Sequence, residues 1–278
     1  MTLGEVLAAT VEYLTRKGVA SPRLDAELIL AKAFGMSRLQ LYTSFDRPLT
    51  DAERADARTL VERRGRREPL AYVLGEWGFR RLTLRTDARA LVPRPETETV
   101  VDRALAAIAG LTAPRVAEIG TGTGAIALAI ADEHPGSIVT ATDLSADALA
   151  LARENADHLG LPVELVEADL IEGLPGPFDL IVSNPPYVAA DELPDLQPEV
   201  RDFEPRLALV EAGQTERLAR AALGVLSPGG AIVLECHADG AAGVAALLAG
   251  LGYDFPSITL DLDGRERVVE ARVARPPG

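Results

Sequence analysis

Asn184, Pro185, Pro186 and Tyr187 stand in a row at the end of an apolar segment, Leu180–Ser183. Two prolines after a buried strand cannot continue a ladder, so the strand stops there and the Pro185 carbonyl points away from any sheet partner. Asn184 brings one acceptor and two donors, and Tyr187 brings a flat face. An amide oxygen, a free carbonyl and an aromatic face together suit one task, holding a conjugated NH2 group for methylation. The lone pair of such a nitrogen is delocalised and weakly nucleophilic. The Asn184 side-chain oxygen and the Pro185 carbonyl can accept its two hydrogens and direct the lone pair at a sulfonium methyl, so that positioning carries the acceleration. No strong base is needed before transfer, because the proton becomes acidic once the nitrogen is methylated. The structural alternative is a Pro-Pro strand stop with Asn184 satisfying local backbone.

A second group of residues suits a nucleoside ligand. Gly120-Thr121-Gly122-Thr123-Gly124 follows an apolar segment and opens a helical one. Glycines there let the backbone turn tightly and let a ligand lie against it. The spacing is neither that of the dinucleotide fingerprint nor that of a phosphate loop, since no lysine follows. Asp143 ends the next strand, where a carboxylate can accept both hydroxyls of a ribose. Its alternative use is as a cap at a strand-to-helix turn, a job Ser145 can do instead. Asp169 can receive an adenine amino group and Leu170 can face the ring.

Strands and helices have to bring these positions together. The chain from 115 onward alternates: Val116–Ile119, Ile138–Thr142, Val163–Val166, Leu180–Ser183 and Ala231–Glu235 read as strands. Between and after them Ala125–Asp132, Ala146–Leu159, Glu216–Leu226 and Ala241–Leu251 read as helices. That order predicts an α/β fold, a mostly parallel sheet with helices on both faces. Ile258–Leu262 and Arg267–Val273, separated only by a turn at Asp263-Gly264, predict a closing antiparallel hairpin. Residues 1–68 carry helical periodicity instead: Leu3, Val6, Leu7, Val11 and Leu14 recur on one face, and Gly18 ends that helix. Ser21-Pro22 opens the next helix, and Thr50 with Glu53 caps a third. Tyr72–Thr86 reads as a hairpin, and Val92-Pro93-Arg94-Pro95 as a stiff connector to a helix starting near Glu96. The expected division is a helical domain over 1–74, hairpin and linker over 75–95, and the α/β domain over 96–278.

The net charge of −14 opposes binding to phosphate backbones, so no direct nucleic-acid partner is expected. The exception to that acidity, Glu62 to Glu68 with its four arginines, reads as a solvated helix end. With aromatic residues at only 4%, the core has to be built from Ala, Leu, Val and Ile. Cys236 is the single cysteine and lies in an apolar run, which excludes an internal disulfide and predicts a buried thiol. His134, His158 and His237 lack ligand spacing, so no metal is expected. Neither a signal peptide nor a run apolar enough to span a membrane is present, so a cytoplasmic protein with no membrane partner is expected.

Asn184–Tyr187 together with Gly120–Gly124 resembles the amino- and amide-methyltransferases, and within them the chain resembles the HemK/PrmC family of release factor glutamine methyltransferases. The likeness covers nearly the whole chain: Arg67-Glu68-Pro69-Leu70-Ala71-Tyr72, Val92-Pro93-Arg94-Pro95-Glu96-Thr97-Glu98, Phe203-Glu204-Pro205-Arg206 and Gly264-Arg265-Glu266-Arg267-Val268 all carry it. The resemblance implies a Rossmann-like class I methyltransferase sheet, a small N-terminal helical bundle that helps hold the substrate, and S-adenosyl-L-methionine as cofactor. It implies that Gly120, Thr121, Gly122, Thr123 and Gly124 hold the methionine part, Asp143 the ribose, and Asp169 with Leu170 the adenine. Asn184, beside the cofactor, and Pro185 would bind the substrate amide, with Pro186 and Tyr187 shaping the slot. The implied substrate is the glutamine of the Gly-Gly-Gln motif of a class I peptide chain release factor. The chain departs from the family at Val210-Glu211-Ala212-Gly213-Gln214 and at Cys236-His237.

Those departures leave open a related enzyme acting on another protein glutamine or on a small amide. An adenine-N6 nucleic-acid methyltransferase shares the Asn-Pro-Pro-Tyr chemistry, but needs a basic recognition surface that this chain lacks. A protein that only senses S-adenosylmethionine would have no use for Asn184–Tyr187.

Overall fold

The computed structural model describes residues 1–275. The helices are α1 (Leu3–Arg16), α2 (Pro22–Ala33), α3 (Arg38–Tyr42), α4 (Asp51–Gly65), α5 (Leu70–Leu74), α6 (Thr97–Ile108), α7 (Ala125–Glu133), α8 (Ala146–Leu159), α9 (Pro198–Phe203), α10 (Gln214–Ala222) and α11 (Ala241–Leu251). The strands are β1 (Glu76–Phe79), β2 (Leu82–Arg85), β3 (Arg115–Ile119), β4 (Ile138–Asp143), β5 (Glu164–Glu167), β6 (Phe178–Ser183), β7 (Leu226–Glu235), β8 (Asp254–Leu260) and β9 (Glu266–Arg272). They form two compact units, Met1–Glu76 with Leu196–Phe203, and Trp77–Asp195 with Glu204–Gly278.

The first unit is helical. Local signals start its helices: Thr2 with Glu5, Ser37 with Gln40 and Thr50 with Glu53 each form a reciprocal capping box, and Pro22 opens α2. Leu3, Leu7 and Leu14 of α1 are buried with Ile29 and Leu30 of α2. Two expectations need correction here. The hairpin expected over Tyr72–Thr86 is confined to β1 and β2, because Leu70–Leu74 coils into a helix that Gly75 ends at φ +71°. The arginine cluster is not a solvated helix end either. Arg64 is 6% exposed and bonds Asp25 at 2.7 Å and Glu199 at 2.9 Å, and Arg67 grips both oxygens of Glu199 at 2.7 and 2.6 Å. A charge cluster read along the chain shows cations; the acids that neutralise these lie 39 and 135 residues away from Arg64.

The second unit is built on a seven-stranded sheet in the order β5-β4-β3-β6-β7-β9-β8. β3 pairs parallel with both β4 and β6, and β7 parallel with β6. β9 runs antiparallel to both β7 and β8, as the closing hairpin predicted. Side chains of a strand alternate between faces, and both faces of this sheet are covered. Val116, Leu180, Val182 and Val233 therefore pack with Val100, Ala104 and Ile126 of α6 and α7, while Ala117, Ile181, Ile232 and Leu234 pack with Leu218 and Leu248 of α10 and α11. This is the mostly parallel α/β sheet that the alternation predicted, in the Rossmann-like form that the resemblance implied. The helix expected over Glu216–Leu226 stops at Ala222, and β7 begins at Leu226 rather than Ala231, through a register shift opposite Phe178 and Leu180.

The chain fills the β3, β4, β5 side first and then crosses back to β6. The crevice where the order reverses, outside the carboxyl ends of β3 and β6, is where such sheets take ligands.

Candidate active site

A cavity of about 290 Å³ opens at that crevice. Its wall includes Gly120, Thr121, Gly122 and Thr123 after β3, Asp143 after β4, Asp169 and Leu170 after β5, and Asn184, Pro185 and Pro186 after β6. Four strand ends thus bring nearly all the residues singled out from the sequence to one space. Gly124 and Tyr187 lie outside the lining.

The glycine loop is held open by its backbone. Gly120, Gly122 and Gly124 have φ of +74°, +55° and +84°, a region that a Cβ makes costly. The N–H groups of Gly120 and Thr121 both donate to the Thr142 carbonyl, at 2.9 and 2.8 Å. Gly124 also serves packing: a Cβ there would sit 2.9 Å from Leu128 Cδ1 and force that side chain to shift.

Asp143 accepts Gly122 N–H on Oδ2 and Ser145 N–H on Oδ1, each at 2.9 Å. Each oxygen keeps a further lone-pair site for a ligand hydroxyl. Ser145 caps α8 by accepting Ala148 N–H, which leaves Asp143 free of the capping duty. Burial raises the Asp143 carboxyl above its ordinary value, against the backbone N–H bonds of Ser145, Gly122 and Leu144.

Asp169 pairs with Arg217 of α10 at 2.6 Å, and both line the cavity. Leu170 sits at φ +56°, a conformation that costs a residue other than glycine roughly 1–2 kcal/mol. Its carbonyl accepts the Thr142 hydroxyl at 2.8 Å, which helps hold it there.

At the chemical end, Asn184 Nδ2 donates to Thr97 Oγ1 at 3.3 Å, and Thr97 Oγ1 donates to Glu235 Oε2 at 2.6 Å. Asn184 Oδ1 has no hydrogen-bond partner among the described residues. Tyr187 stands behind the wall, its ring 6.2 Å from that of His237. Burial pushes the phenol up to about 12, so it stays protonated. Arg94, also on the wall, grips the buried Glu204 at 2.8 and 2.6 Å.

Three acidic or hydroxyl groups escaped sequence reasoning. Glu118, 1% exposed under the glycine loop, accepts the Thr121 hydroxyl at 2.6 Å and Ala127 N–H at 2.9 Å; burial pushes it up to about 8. Thr97 and Glu235 are the others. The available signal was an acid at or next to the end of each of two segments that otherwise read as apolar, Glu118 one residue before the end of β3 and Glu235 at the end of β7. Thr97 offered none, since a threonine opening a helix is ordinary. Cys236, 4% exposed, is the buried thiol expected, pushed up to about 11 by burial. Among the described residues no group of three His, Cys, Asp or Glu could hold a metal ion, and no helix is long and apolar enough to cross a membrane.

Known proteins show the same architecture. Residues 5–75 match the PrmC N-terminal domain family and residues 100–197 the methyltransferase small domain family. The chain is 44% identical to a release factor glutamine methyltransferase of Deinococcus radiodurans over 280 residues, covering 99% of each. It is 44% identical to a protein of the same name from Chlorobaculum tepidum over 274 residues, covering 93% of this chain and 92% of that one. Among solved structures it resembles a methyltransferase of Pyrococcus furiosus at a TM-score of 0.52 and 20% identity, covering 69% of this chain and 88% of that one; this likeness bears on the fold alone.

Proposed function

The chain belongs to the release factor glutamine methyltransferases, and from that premise we propose which of its residues carry the reaction and which glutamine receives the methyl group. It is an S-adenosylmethionine-dependent protein-glutamine N5-methyltransferase. When bound, S-adenosylmethionine supplies an electrophilic sulfonium methyl.

The cavity fits that cofactor by the chemistry of its wall. Asp143 retains lone pairs for the ribose hydroxyls, Asp169 an oxygen for the adenine amino group, and Leu170 an apolar surface for the ring. The bent backbone of Gly120 to Gly124 leaves room for the methionine part. Asn184 Oδ1 and the Pro185 carbonyl accept the two hydrogens of the substrate amide and turn its lone pair out of conjugation. Pro186 and Tyr187 shape the slot, Pro186 on the wall and Tyr187 behind it. The carrying observation is that Asn184 lines the cavity with its nitrogen bonded to Thr97 and its oxygen without a partner among the described residues.

The substrate we propose is the glutamine of the Gly-Gly-Gln motif in a class I peptide chain release factor, giving N5-methylglutamine. The helical unit at the N-terminus contributes to holding that protein. A net charge of −14 disfavours direct nucleic-acid contact, and a partner in translation agrees with a cytoplasmic site of action without membrane contact. The test is to incubate the chain with labelled cofactor and a class I release factor, then map the methyl by mass spectrometry. Label on the Gly-Gly-Gln glutamine is expected; label elsewhere, or none, overturns the substrate assignment.

A further inference from the structure

A carboxylate buried without an ion pair is costly, and the fold places one directly behind the residue proposed to hold the substrate amide. Glu235 ends β7 at 1% exposure and forms no salt bridge among the described residues. Its side-chain hydrogen bond is to the hydroxyl of Thr97, at 2.6 Å. The cation whose charge acts on it, Arg267, spends its guanidinium on Asp261 at 3.2 Å and on the Cys236 carbonyl at 3.3 Å. Thr97, 4% exposed, is bonded on one side to Glu235 and on the other to Asn184, residues 138 and 87 positions away.

Donor accounting then decides which way the Asn184 amide faces. A threonine hydroxyl has one proton to give. With Glu235 ionised, that proton goes to Glu235, and Thr97 can only accept from Asn184. Asn184 must present its NH2 to Thr97, which leaves Oδ1 for the substrate. Protonated Glu235 can instead donate to Thr97, freeing the threonine to donate to Asn184 Oδ1. The amide would then turn its NH2 toward the substrate NH2, donor against donor. From this geometry, and resting on the functional reading above, we propose that Thr97 and Glu235 are positioning residues that set the orientation of the Asn184 amide and so switch the site between an accepting and a non-accepting state.

The surroundings place that switch near neutrality. Burial raises Glu235 and Glu96 adds to the rise. The hydroxyls of Thr97 and Tyr187 and the charge of Arg267 pull it back, to about 7. Cys236, next to it in the chain, stays a neutral thiol, since burial holds it up at about 11.

The experiment uses the full chain, S-adenosylmethionine and an intact class I release factor, with kcat, KM and cofactor Kd followed from about pH 5.5 to about pH 8.5. The parent kcat is expected to rise through one ionisation near neutrality. Thr97→Val keeps the shape and loses the hydroxyl; kcat should fall roughly 10- to 100-fold, the scale of a misplaced contact, with KM and Kd within about twofold. Thr97→Ser should recover most of the loss, and Glu235→Gln, which can accept from Thr97 at every pH, should lack the pH step. Thr97→Val at the parental rate with the parental pH step overturns the proposal, as does a loss that Thr97→Ser fails to rescue or that cofactor affinity shares. A parent that methylates glutamine throughout these results keeps the functional reading standing; a parent that methylates none overturns that reading, and the relay with it.

Discussion

Gly122 donates its backbone N–H to Asp143 Oδ2 over 2.9 Å, so the glycine loop after β3 and the acid at the end of β4 are one bonded unit. The acid shapes the loop, and in the proposed reading it also presents lone pairs to the cofactor ribose. Asp143→Ala should weaken S-adenosylmethionine binding by about 1.5–3 kcal/mol through loss of charge-assisted bonds. Isothermal calorimetry measures this, and unchanged affinity would remove Asp143 from the cofactor site.

Asn184 is the centre of the chemical prediction. Asn184→Ala should leave the fold and most cofactor affinity in place and cut methyl transfer by roughly 10²–10³, the scale for one preorganised polar contact. Asn184→Asp is sharper. It keeps the shape and adds acceptor capacity, but it has no N–H for Thr97 and sets a second carboxylate close to Glu235. Slow turnover with retained cofactor binding is expected. If both variants transfer methyl to a glutamine substrate at the parental rate, Asn184 is a strand terminator and nothing more.

Glu118 should leave a signature in stability. Its folded-state value, pushed up to about 8 chiefly by burial, lies above the unfolded value of about 4.3. The fold therefore holds a proton that the unfolded chain releases across that interval. The stability this gives is full below the unfolded value, falls as pH rises, and levels off above the folded value. Glu118→Gln should flatten that slope and gain on the parent at about pH 8. Melting temperatures of the cofactor-free proteins across the interval test this; parallel curves would mean that Glu118 is ionised in the fold.

The helical unit depends on Arg64, held between Asp25 and Glu199 with its side chain 7% exposed. Removing one member of a buried ion cluster leaves the others uncompensated. Arg64→Ala should destabilise that unit by about 3–5 kcal/mol. Urea unfolding followed by far-UV circular dichroism reads the change, and a loss below about 1 kcal/mol would mean that the cluster is effectively solvated.

What could be read from the chain was local. Strand and helix alternation, the Gly120–Gly124 turn, the Pro185-Pro186 stop and the Thr50 with Glu53 cap depend on neighbours a few positions apart, so spacing alone exposes them. Because ligands of such sheets lie at strand ends, the same spacing also pointed to Asp143, Asp169 and Asn184 as companions. What depended on distant segments could not be read. Whether Tyr72 belonged to a strand or a helix turned on the short run from Pro69 to Gly75, where helix and strand signals are equally weak. Arg64 looked solvated because Asp25 and Glu199 lie far off in sequence. Thr97 was unremarkable, and Glu235 was only an acid at the end of an apolar run, until folding placed them behind Asn184, since which hydroxyl meets which carboxylate is set by strand order and helix packing. The residue types and their order along the chain determined the chemistry available; only the tertiary contacts decided which way the Asn184 amide faces.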